Sequence, residues 1–161
     1  ARLGAEVTGV DAAPENAMAA AAHAEGAGLD IRYIAGELAA QDLGQFDLVT
    51  AMEVIEHVAD KPAFVAELAR RLAPGGLMVL STPNQTPQSR LLMVGAAEGL
   101  GLIPRGTHHW DDFVTPEALE ALLAGAGLVM GTPRGIAFTP AKGLHLSDDL
   151  ALNYIVTARA A

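Results

Sequence analysis

The sequence predicts an α/β fold built on a mostly parallel sheet with helices on both of its faces. Short apolar segments of strand length alternate along the chain with segments of helical periodicity. Turn residues such as Pro74-Gly75-Gly76 separate several of these segments. With 161 residues, of which 51% are hydrophobic, the chain is expected to form one domain, residues 1–161, around a single core.

The first half of the chain predicts a strand, a helix and a strand, and then a second series of the same kind. The predicted elements are a strand at 6–11, an Ala-rich helix at 14–25, a strand at 31–34, a strand at 46–51, an amphipathic helix at 61–72 and a strand at 77–81. Pro14 suits the first position of its helix. Phe64, Leu68 and Leu72 recur at helical spacing in the amphipathic helix.

The second half predicts one more helix and two more strands. The helix spans 115–124, with Thr115 as its N-cap and Gly125 or Gly127 as its stop. Strands are expected near 128–130 and at 154–158.

Composition excludes several classes of function. The chain has no cysteine, so disulfides, thiolate metal sites and cysteine nucleophiles are excluded. A formal charge of −9 with only 10 Lys and Arg residues argues against a nucleic-acid partner. No apolar run approaches the roughly 20 residues that span a bilayer, and no signal peptide is recognisable, so we expect a soluble, cytoplasmic protein.

The start of the chain lacks a feature that nucleotide-binding α/β sheets normally have. Such sheets place a Gly-rich strand-to-helix turn about 20 residues before the acid that ends the next strand. Only ten residues precede Asp11 in this sequence. We therefore expect the first strand and its Gly-rich loop to be absent, as in an amino-terminal truncation.

The most informative segment is 46–58, in which a predicted buried strand is followed by Glu53, Glu56 and His57. Separations of three and four residues bring side chains to one face of a helical turn. Two carboxylates and an imidazole suit a hard divalent ion such as Mg²⁺. The alternative is an ordinary exposed first turn of a helix, in which acids are favoured by the macrodipole.

Three other residues are candidates for binding a cofactor. Asp11 ends a predicted strand, where its carboxylate can accept hydrogen bonds from ribose hydroxyls; it can instead cap the following helix. Glu37 follows the next strand and either lines an adenine pocket or caps a helix. Met52 either packs on a base or belongs to the core.

Polar and apolar segments in the second half add further candidates. Ser81-Thr82-Pro83-Asn84 either faces the same crevice or forms a polar turn. His108 and His109 lie in one loop and are candidates for a base or a ligand. The apolar stretch 89–103 forms either a core helix or a lid exposed to lipid.

Together these motifs closely resemble the ubiquinone biosynthesis O-methyltransferases, which are class I S-adenosylmethionine-dependent enzymes. The matching motifs are Val7-Thr8-Gly9-Val10-Asp11, Phe46-Asp47-Leu48-Val49, Met52-Glu53-Val54-Ile55-Glu56-His57-Val58, Pro74-Gly75-Gly76, Ser81-Thr82-Pro83-Asn84, Pro104-Arg105-Gly106-Thr107-His108 and Leu152-Asn153-Tyr154. The Glu-x-x-Glu-His run, Pro-x-Gly-Thr-His and the late Asn-Tyr are the most specific. The resemblance implies a Rossmann-like class I methyltransferase sheet, mostly parallel with an antiparallel C-terminal strand.

The resemblance also implies an activity: S-adenosylmethionine-dependent O-methylation of a polyprenyl catechol or demethylubiquinol. By this resemblance Asp11 would bind the ribose of S-adenosylmethionine and Met52 would approach its adenine, and Glu37 is a further candidate for the adenine pocket. Glu53, Glu56 and His57 match the positions of the family's divalent metal, Mg²⁺ in our expectation. His108 or His109 is a candidate for an assisting base. Alternatives are another small-molecule class I methyltransferase, or a catalytically silent α/β interaction module without its cofactor loop.

A polyprenyl substrate implies contact with a membrane. The region at about 90–105, with Arg90 and Arg105 at its ends, resembles the part of the family suited to peripheral contact with anionic lipid on the inner face of the membrane. Family membership also implies assembly with other quinone-pathway enzymes. Pro83 and the segment 135–138 depart from the family pattern, which puts the shape of the substrate pocket in question.

Overall fold

The computed structural model describes residues 1–91 and 110–161. These residues form two compact units, an amino-terminal unit (Ala1–Gly44) and a carboxy-terminal unit (Gln45–Ala161). The expectation of one domain stays a prediction. Each unit has its own sheet and is described by itself.

The amino-terminal unit is a strand, a helix and a strand, as the sequence predicts. Its elements are β1 (Thr8–Asp11), α1 (Pro14–Gly26) and β2 (Arg32–Ala35). The two strands are parallel, and Asp11 lies opposite Ala35 at their carboxyl ends. A short 3₁₀ turn, Leu38–Ala40, follows β2. The unit therefore presents two strand ends, and the residues after them, at one edge.

The carboxy-terminal unit contains a four-stranded mixed sheet in the order β3-β4-β8-β5. Its strands are β3 (Phe46–Met52), β4 (Leu72–Pro83), β5 (Leu128–Met130) and β8 (Asn153–Ala160). β3 and β4 are parallel, whereas β8 is antiparallel to both β4 and β5. Three strands thus share one direction and the last strand opposes them, which confirms the predicted mostly parallel sheet with an antiparallel C-terminal strand.

Two capped helices accompany this sheet. α2 (Lys61–Arg70) begins where the Asp60 carboxylate accepts a hydrogen bond from the Ala63 amide at 2.9 Å. α3 (Pro116–Gly125) begins in the same way, because the Thr115 hydroxyl accepts from the Ala118 amide at 3.2 Å. The predicted N-cap at Thr115 is therefore confirmed. Both caps satisfy an amide that the first helical turn would otherwise leave unpaired.

The sequence predicted that Pro74-Gly75-Gly76 forms a turn before a strand, whereas in the structure this segment lies within β4. β4 begins earlier, at Leu72, which lies opposite Phe46, and the register then jumps so that Leu48 lies opposite Leu77. The extra residues on β4 form a bulge, and Gly75 has a φ of 77°, which glycine adopts without steric cost. Helix α2 accordingly ends at Arg70 and does not reach residue 72.

A β-hairpin that the sequence reading did not predict lies between β5 and β8. It consists of β6 (Gly135–Thr139) and β7 (Gly143–Ser147), which are antiparallel. Its base is tied to β8, because Arg134 and Ile155 exchange backbone hydrogen bonds of 3.0 and 2.8 Å.

The core of the carboxy-terminal unit lies between the sheet and its helices. The least exposed large apolar side chains there are Ile55, Val65, Met78, Leu80, Leu119, Leu123, Tyr154 and Val156. They come from the central strands, from both helices and from the turn after β3. That turn is therefore held by packing as well as by hydrogen bonds.

Candidate functional site at the strand ends

Buried polar side chains lie at the carboxyl ends of β3 and β4. Ser81 lies opposite Met52, the last residue of β3, and Ser81 and Thr82 are 1% and 0% exposed. Buried hydroxyls need hydrogen-bond partners, because an unpaired one costs free energy. In both cases the partner is a carboxylate from the segment that follows β3.

Glu53 is held against Ser81. The Glu53 amide donates to the Ser81 carbonyl oxygen at 3.0 Å, and the Ser81 hydroxyl donates to Glu53 Oε1 at 2.8 Å. Glu53 has a φ of 53°, the one positive value among the described residues other than glycine. Such a conformation costs about 1–3 kcal/mol and persists only where surrounding contacts hold it. The strain therefore points to a functional position.

Glu56 is the most unusual carboxylate of the described residues. It lies in a 3₁₀ turn, Ile55–His57, and is only 3% exposed. Oε2 accepts a hydrogen bond from Thr82 Oγ1 at 3.0 Å. Within residues 1–91 and 110–161, Oε1 is buried and has no hydrogen-bond partner. Nε2 of the half-exposed His57 ring lies 3.9 Å from Oε1, which is too long for a hydrogen bond.

The predicted common helical face for Glu53, Glu56 and His57 is wrong in its local geometry. The turn begins at Ile55, and Glu53 lies before it in a left-handed conformation. Each carboxylate is bound by a different hydroxyl of β4. Within residues 1–91 and 110–161, no three His, Asp or Glu side chains are grouped so that they could hold a metal ion. The orphaned Oε1 of Glu56 alone fits a cation, and the three-residue metal set stays a prediction.

Tyr154 joins this buried polar group from β8. It lies opposite Thr82, is fully buried, and donates its hydroxyl to the Val114 carbonyl oxygen at 3.0 Å. Burial raises the pKa of the phenol well above its ordinary value, and the charges of Glu117 and Glu56 raise it further. Tyr154 therefore stays a neutral donor.

The segment after β4 is bound to the segment before β8. Asn84 Nδ2 donates to the Leu150 carbonyl oxygen at 2.8 Å, and the Thr86 hydroxyl donates to the Ala151 carbonyl oxygen. Trp110 Nε1 donates to the Thr86 carbonyl oxygen at 3.0 Å, and the Arg90 guanidinium lies 5.2 Å from the Trp110 ring centroid. Asn84, the last residue of the polar run 81–84, and Thr86 thus bind the segment after β4 to the residues that precede β8.

The candidate ribose-binding acid lies in the amino-terminal unit. Asp11 Oδ1 accepts from the Ala13 amide at 2.8 Å, and both carboxylate oxygens lie 3.3 Å from Asn16 Nδ2. The N-cap position of α1 belongs to Ala13, so Asp11 supports the entry to the helix without being its N-cap. Among the described residues, Oδ2 receives only the 3.3 Å contact from Asn16, which leaves it able to accept a hydrogen bond from a ligand.

The other two predicted cofactor residues are exposed to solvent to different degrees. Glu37 is exposed at the N-cap position of the turn after β2, and its side chain makes no capping hydrogen bond. The alternative role as a capping side chain is therefore not observed. Met52 is 45% exposed at the end of β3, so its alternative role as a core residue is not observed either. His108, His109 and most of the stretch at 90–105 lie outside the described residues.

The fold is shared with solved methyltransferases. Magnesium protoporphyrin IX methyltransferase from Synechocystis PCC 6803 with bound SAH superposes with a TM-score of 0.70 at 20% identity, over 100% of this chain and 67% of that one. A SAM-dependent methyltransferase from Methanosarcina mazei gives a TM-score of 0.71 at 17% identity, over 98% of this chain and 83% of that one. These two comparisons establish the fold.

The chain belongs to the methyltransferase domain family, whose sequence model matches residues 1–131. Within that class it is similar to proteins named ubiquinone biosynthesis O-methyltransferase. It is 46% identical over 164 residues to the one from a Methylobacterium strain, which covers 98% of this chain and 65% of that protein. It is 44% identical over 162 residues to the one from Caulobacter vibrioides, covering 98% and 64%.

These relatives confirm the resemblance seen in the motifs. The chain spans about 65% of the length of the Methylobacterium relative. No helix of residues 1–91 and 110–161 is long and apolar enough to cross a bilayer.

Proposed function

We propose that this chain catalyses S-adenosylmethionine-dependent O-methylation of a polyprenyl catechol or demethylubiquinol in ubiquinone biosynthesis. The observation that carries the proposal is the sequence identity of 46%, over 98% of this chain, to a protein named ubiquinone biosynthesis O-methyltransferase. Membership of the methyltransferase domain family supports the reaction class. The polar strand ends support the location, because ligands of open α/β sheets bind outside the carboxyl ends of the strands.

Each candidate residue has a role in this proposal that its surroundings permit. Asp11 accepts hydrogen bonds from the ribose hydroxyls of the cofactor through its weakly occupied Oδ2. Glu37 is proposed as an adenine contact of the amino-terminal unit, since its side chain is exposed. Met52 is proposed, independently, as an adenine contact of the carboxy-terminal unit, since it is exposed at the end of β3. These assignments rest on residues of two separately described units, so we propose them residue by residue.

The reaction moves one methyl group and releases one proton. A catechol oxygen attacks the methyl carbon, the bond from that carbon to the sulfonium sulfur breaks, and the hydroxyl proton passes to a base. Glu56 Oε1 is suited to accept a hydrogen bond from the hydroxyl, because it is a buried acceptor to which no group in the described part of the chain donates. His108 and His109 are the proposed bases for the proton.

Mg²⁺ is part of our proposal through the donor chemistry of Glu53, Glu56 and His57, although within residues 1–91 and 110–161 these side chains are not grouped as a metal site. When bound, such an ion lowers the pKa of a coordinated hydroxyl and orients its oxygen. The support is the donor chemistry of the three residues and the unpaired Oε1 of Glu56. We also propose two kinds of partner. The region at about 90–105 contacts anionic lipid at the membrane surface, and the protein assembles with other quinone-pathway enzymes.

The test is transfer of a labelled methyl group to a polyprenyl catechol, with the protein expressed from its complete reading frame. We expect a labelled methyl ether and S-adenosylhomocysteine in equal amounts, and loss of turnover with a chelator that Mg²⁺ restores. Turnover that is insensitive to chelation would remove the metal from the proposal and leave the methyl transfer. Cofactor binding without any methylated catechol would instead indicate another small-molecule methyltransferase. If the protein neither bound the cofactor nor turned over, it would be a catalytically silent module.

A further inference from the structure

Thr82 and Tyr154 lie side by side in the sheet of the carboxy-terminal unit and share one of its faces. Thr82 on β4 is directly opposite Tyr154 on β8, and opposite residues of antiparallel strands project to the same side. Both side chains are fully buried. Ser81 precedes Thr82 in the same strand and therefore projects to the other side. The hydroxyls that bind Glu56 and Glu53 thus lie on opposite faces of the sheet.

The backbone of the turn that carries Glu56 is anchored by packing and by its own hydrogen bond. Ile55, directly before Glu56, is 1% exposed and belongs to the core. The amide of His57 donates to the carbonyl oxygen of Val54 at 2.9 Å, which closes the turn. These contacts do not orient the carboxylate itself, because the last torsion of a glutamate side chain is broad and its two oxygens are equivalent. A directed hydrogen bond to one oxygen orients both.

Thr82 supplies that hydrogen bond from a rigid side chain. Its Oγ1 donates to Oε2 of Glu56 at 3.0 Å, and both side chains are buried. A β-branched side chain has a restricted χ1, so the hydroxyl oxygen is held in place before any ligand arrives. The bond engages Oε2 with the protein. Oε1 remains available to a ligand, since it has no hydrogen-bond partner among residues 1–91 and 110–161.

The neighbouring phenol of Tyr154 does not take Oε1. A tyrosine has one proton to donate, and Tyr154 donates it to the carbonyl oxygen of Val114 at 3.0 Å. Burial raises the pKa of this phenol above its ordinary value, and the charges of Glu117 and Glu56 raise it further, so the group keeps its proton. The orientation of the Glu56 carboxylate therefore depends on Thr82.

We propose that Thr82 is a positioning residue of the methyl transfer: by binding Oε2 of Glu56, it directs Oε1 toward the hydroxyl of the catechol acceptor. This inference rests on the proposed function. Thr82 takes no part in bond making, since its proton stays between Oγ1 and Oε2. A carboxylate that is oriented in advance need not be ordered when the acceptor binds, and its alignment with the reacting oxygen favours the transfer.

Two substitutions separate the hydrogen bond of Thr82 from the shape of its side chain. Thr82→Val keeps the shape and removes the donor, whereas Thr82→Ser keeps the donor. The protein is expressed from its complete reading frame and assayed with a short-chain, water-soluble catechol. We expect Thr82→Val to lower kcat/KM by about thirtyfold, in kcat as well as in KM, because the carboxylate is misaligned. Thr82→Ser should retain most of the activity.

A second measurement does not depend on turnover. Binding of the same catechol in the presence of S-adenosylhomocysteine, measured by calorimetry, should weaken by about threefold in Thr82→Val and should be little changed in Thr82→Ser.

A double-mutant cycle shows whether Thr82 acts through Glu56. In Glu56→Gln the carboxylate is already lost, so adding Thr82→Val should lower kcat/KM by no more than about threefold further. Thr115→Ala is the control for lost stability, because it removes the hydroxyl that caps α3. Its kcat/KM should equal that of the unaltered chain. Thermal unfolding of each variant checks that it is folded at the assay temperature.

Three results would overturn the proposal while the unaltered chain forms the methyl ether. One is unchanged kcat/KM in Thr82→Val. Another is an equal loss in Thr82→Val and Thr82→Ser, since the hydrogen bond would then not be the cause. The third is a full thirtyfold further loss in the Glu56→Gln background, because Thr82 would then act independently of Glu56.

Failure of the proposed function gives a different result. If the unaltered chain binds the catechol but forms no methyl ether, the methyl transfer is wrong, and the calorimetric comparison of Thr82→Val with Thr82→Ser alone determines whether Thr82 orients Glu56 for the catechol. A chain that neither binds nor methylates the catechol contradicts both proposals.

Discussion

At the scale of single residues, two hydroxyl groups of β4 define the candidate site, because each donates a hydrogen bond to a different carboxylate. Ser81 binds Glu53, and Thr82 binds Glu56. Thr82 donates to Oε2 of Glu56, and Oε1 has no hydrogen-bond partner among residues 1–91 and 110–161. A buried acceptor without a donor is costly, and such a cost is usually retained where a ligand later satisfies the atom.

Replacing Thr82 tests the cost of this arrangement. Thr82→Val keeps the shape of the side chain and removes the donor, which leaves both oxygens of a buried carboxylate unpaired. We expect the free energy of unfolding to fall by about 1–3 kcal/mol, measured by urea denaturation. Thr82→Ser, which keeps the hydroxyl, should lose much less. Equal losses for the two variants would show that the methyl group of Thr82, and not its hydrogen bond, is what matters.

Tyr154 predicts a dependence of stability on pH. Its pKa in the folded chain is raised above the ordinary value of 10.0, first by burial and then by Glu117 and Glu56. The folded state therefore holds this proton more tightly than the unfolded state. The resulting stability is complete below pH 10 and declines above it by up to about 1.4 kcal/mol per pH unit.

The comparison of Tyr154→Phe with the unaltered chain isolates this contribution, because phenylalanine has no proton to lose. Denaturation is measured at several pH values between about 8 and 11, a range that brackets the ordinary phenol pKa. Above pH 10, the free energy of unfolding should fall less steeply with pH for Tyr154→Phe than for the unaltered chain. Tyr33→Phe, which removes the other tyrosine of the chain, is the matched control. Identical pH profiles for Tyr154→Phe and the unaltered chain would contradict the raised pKa.

At the scale of the elements, the sequence predicted features that depend on neighbouring residues, such as a helix cap, and missed features that depend on contacts between distant residues. Thr115 predicted the start of α3, because a cap needs only a side-chain oxygen and a free amide nearby. The bulge at Gly75 could not be predicted, because it depends on the pairing of Phe46 with Leu72, far apart in sequence. The helical face assigned to Glu53 failed for a similar reason, since Ser81 holds its backbone and side chain.

The hairpin was missed although its pattern was present. Ile136 and Phe138 alternate with other residues, as Leu144 and Leu146 do, and this two-residue period favours strands. The segments are only five residues long each and have Gly at their first positions, which weakened the signal. The pairing of these two segments, and their attachment to β8, depend on tertiary contacts that the local sequence pattern does not show.

The cap of α3 gives a prediction at this scale. Thr115→Ala removes the oxygen that accepts from the Ala118 amide, so we expect a loss of about 1 kcal/mol in the free energy of unfolding. Thr115→Ser should recover most of it. Asp60→Asn at the start of α2 keeps a capping oxygen and should have little effect. A loss for Thr115→Ser as large as that for Thr115→Ala would contradict the cap.

At the scale of the whole molecule, two units each present polar residues beyond the ends of parallel strands. Asp11 and Glu37 follow β1 and β2 in the amino-terminal unit, and Glu53 and Glu56 follow β3 in the carboxy-terminal unit. The family match covers both units, since it extends over residues 1–131. The sequence predicted which residues lie at these strand ends, because the hydrophobic pattern shows where strands end. The hydrogen bonds of these residues could be seen only in the structure.

The most direct test of the account is the rate of methyl transfer to a polyprenyl catechol by Glu56→Gln, expressed from the complete reading frame. If the unpaired Oε1 serves the reacting hydroxyl, directly or through a divalent ion, kcat/KM should fall by about a hundredfold or more with stability little changed. Glu120→Gln, an exposed acid on α3, is the matched control and should retain full activity. Unaltered kcat/KM in Glu56→Gln would contradict the claim that the ends of β3 and β4 form the site of methyl transfer.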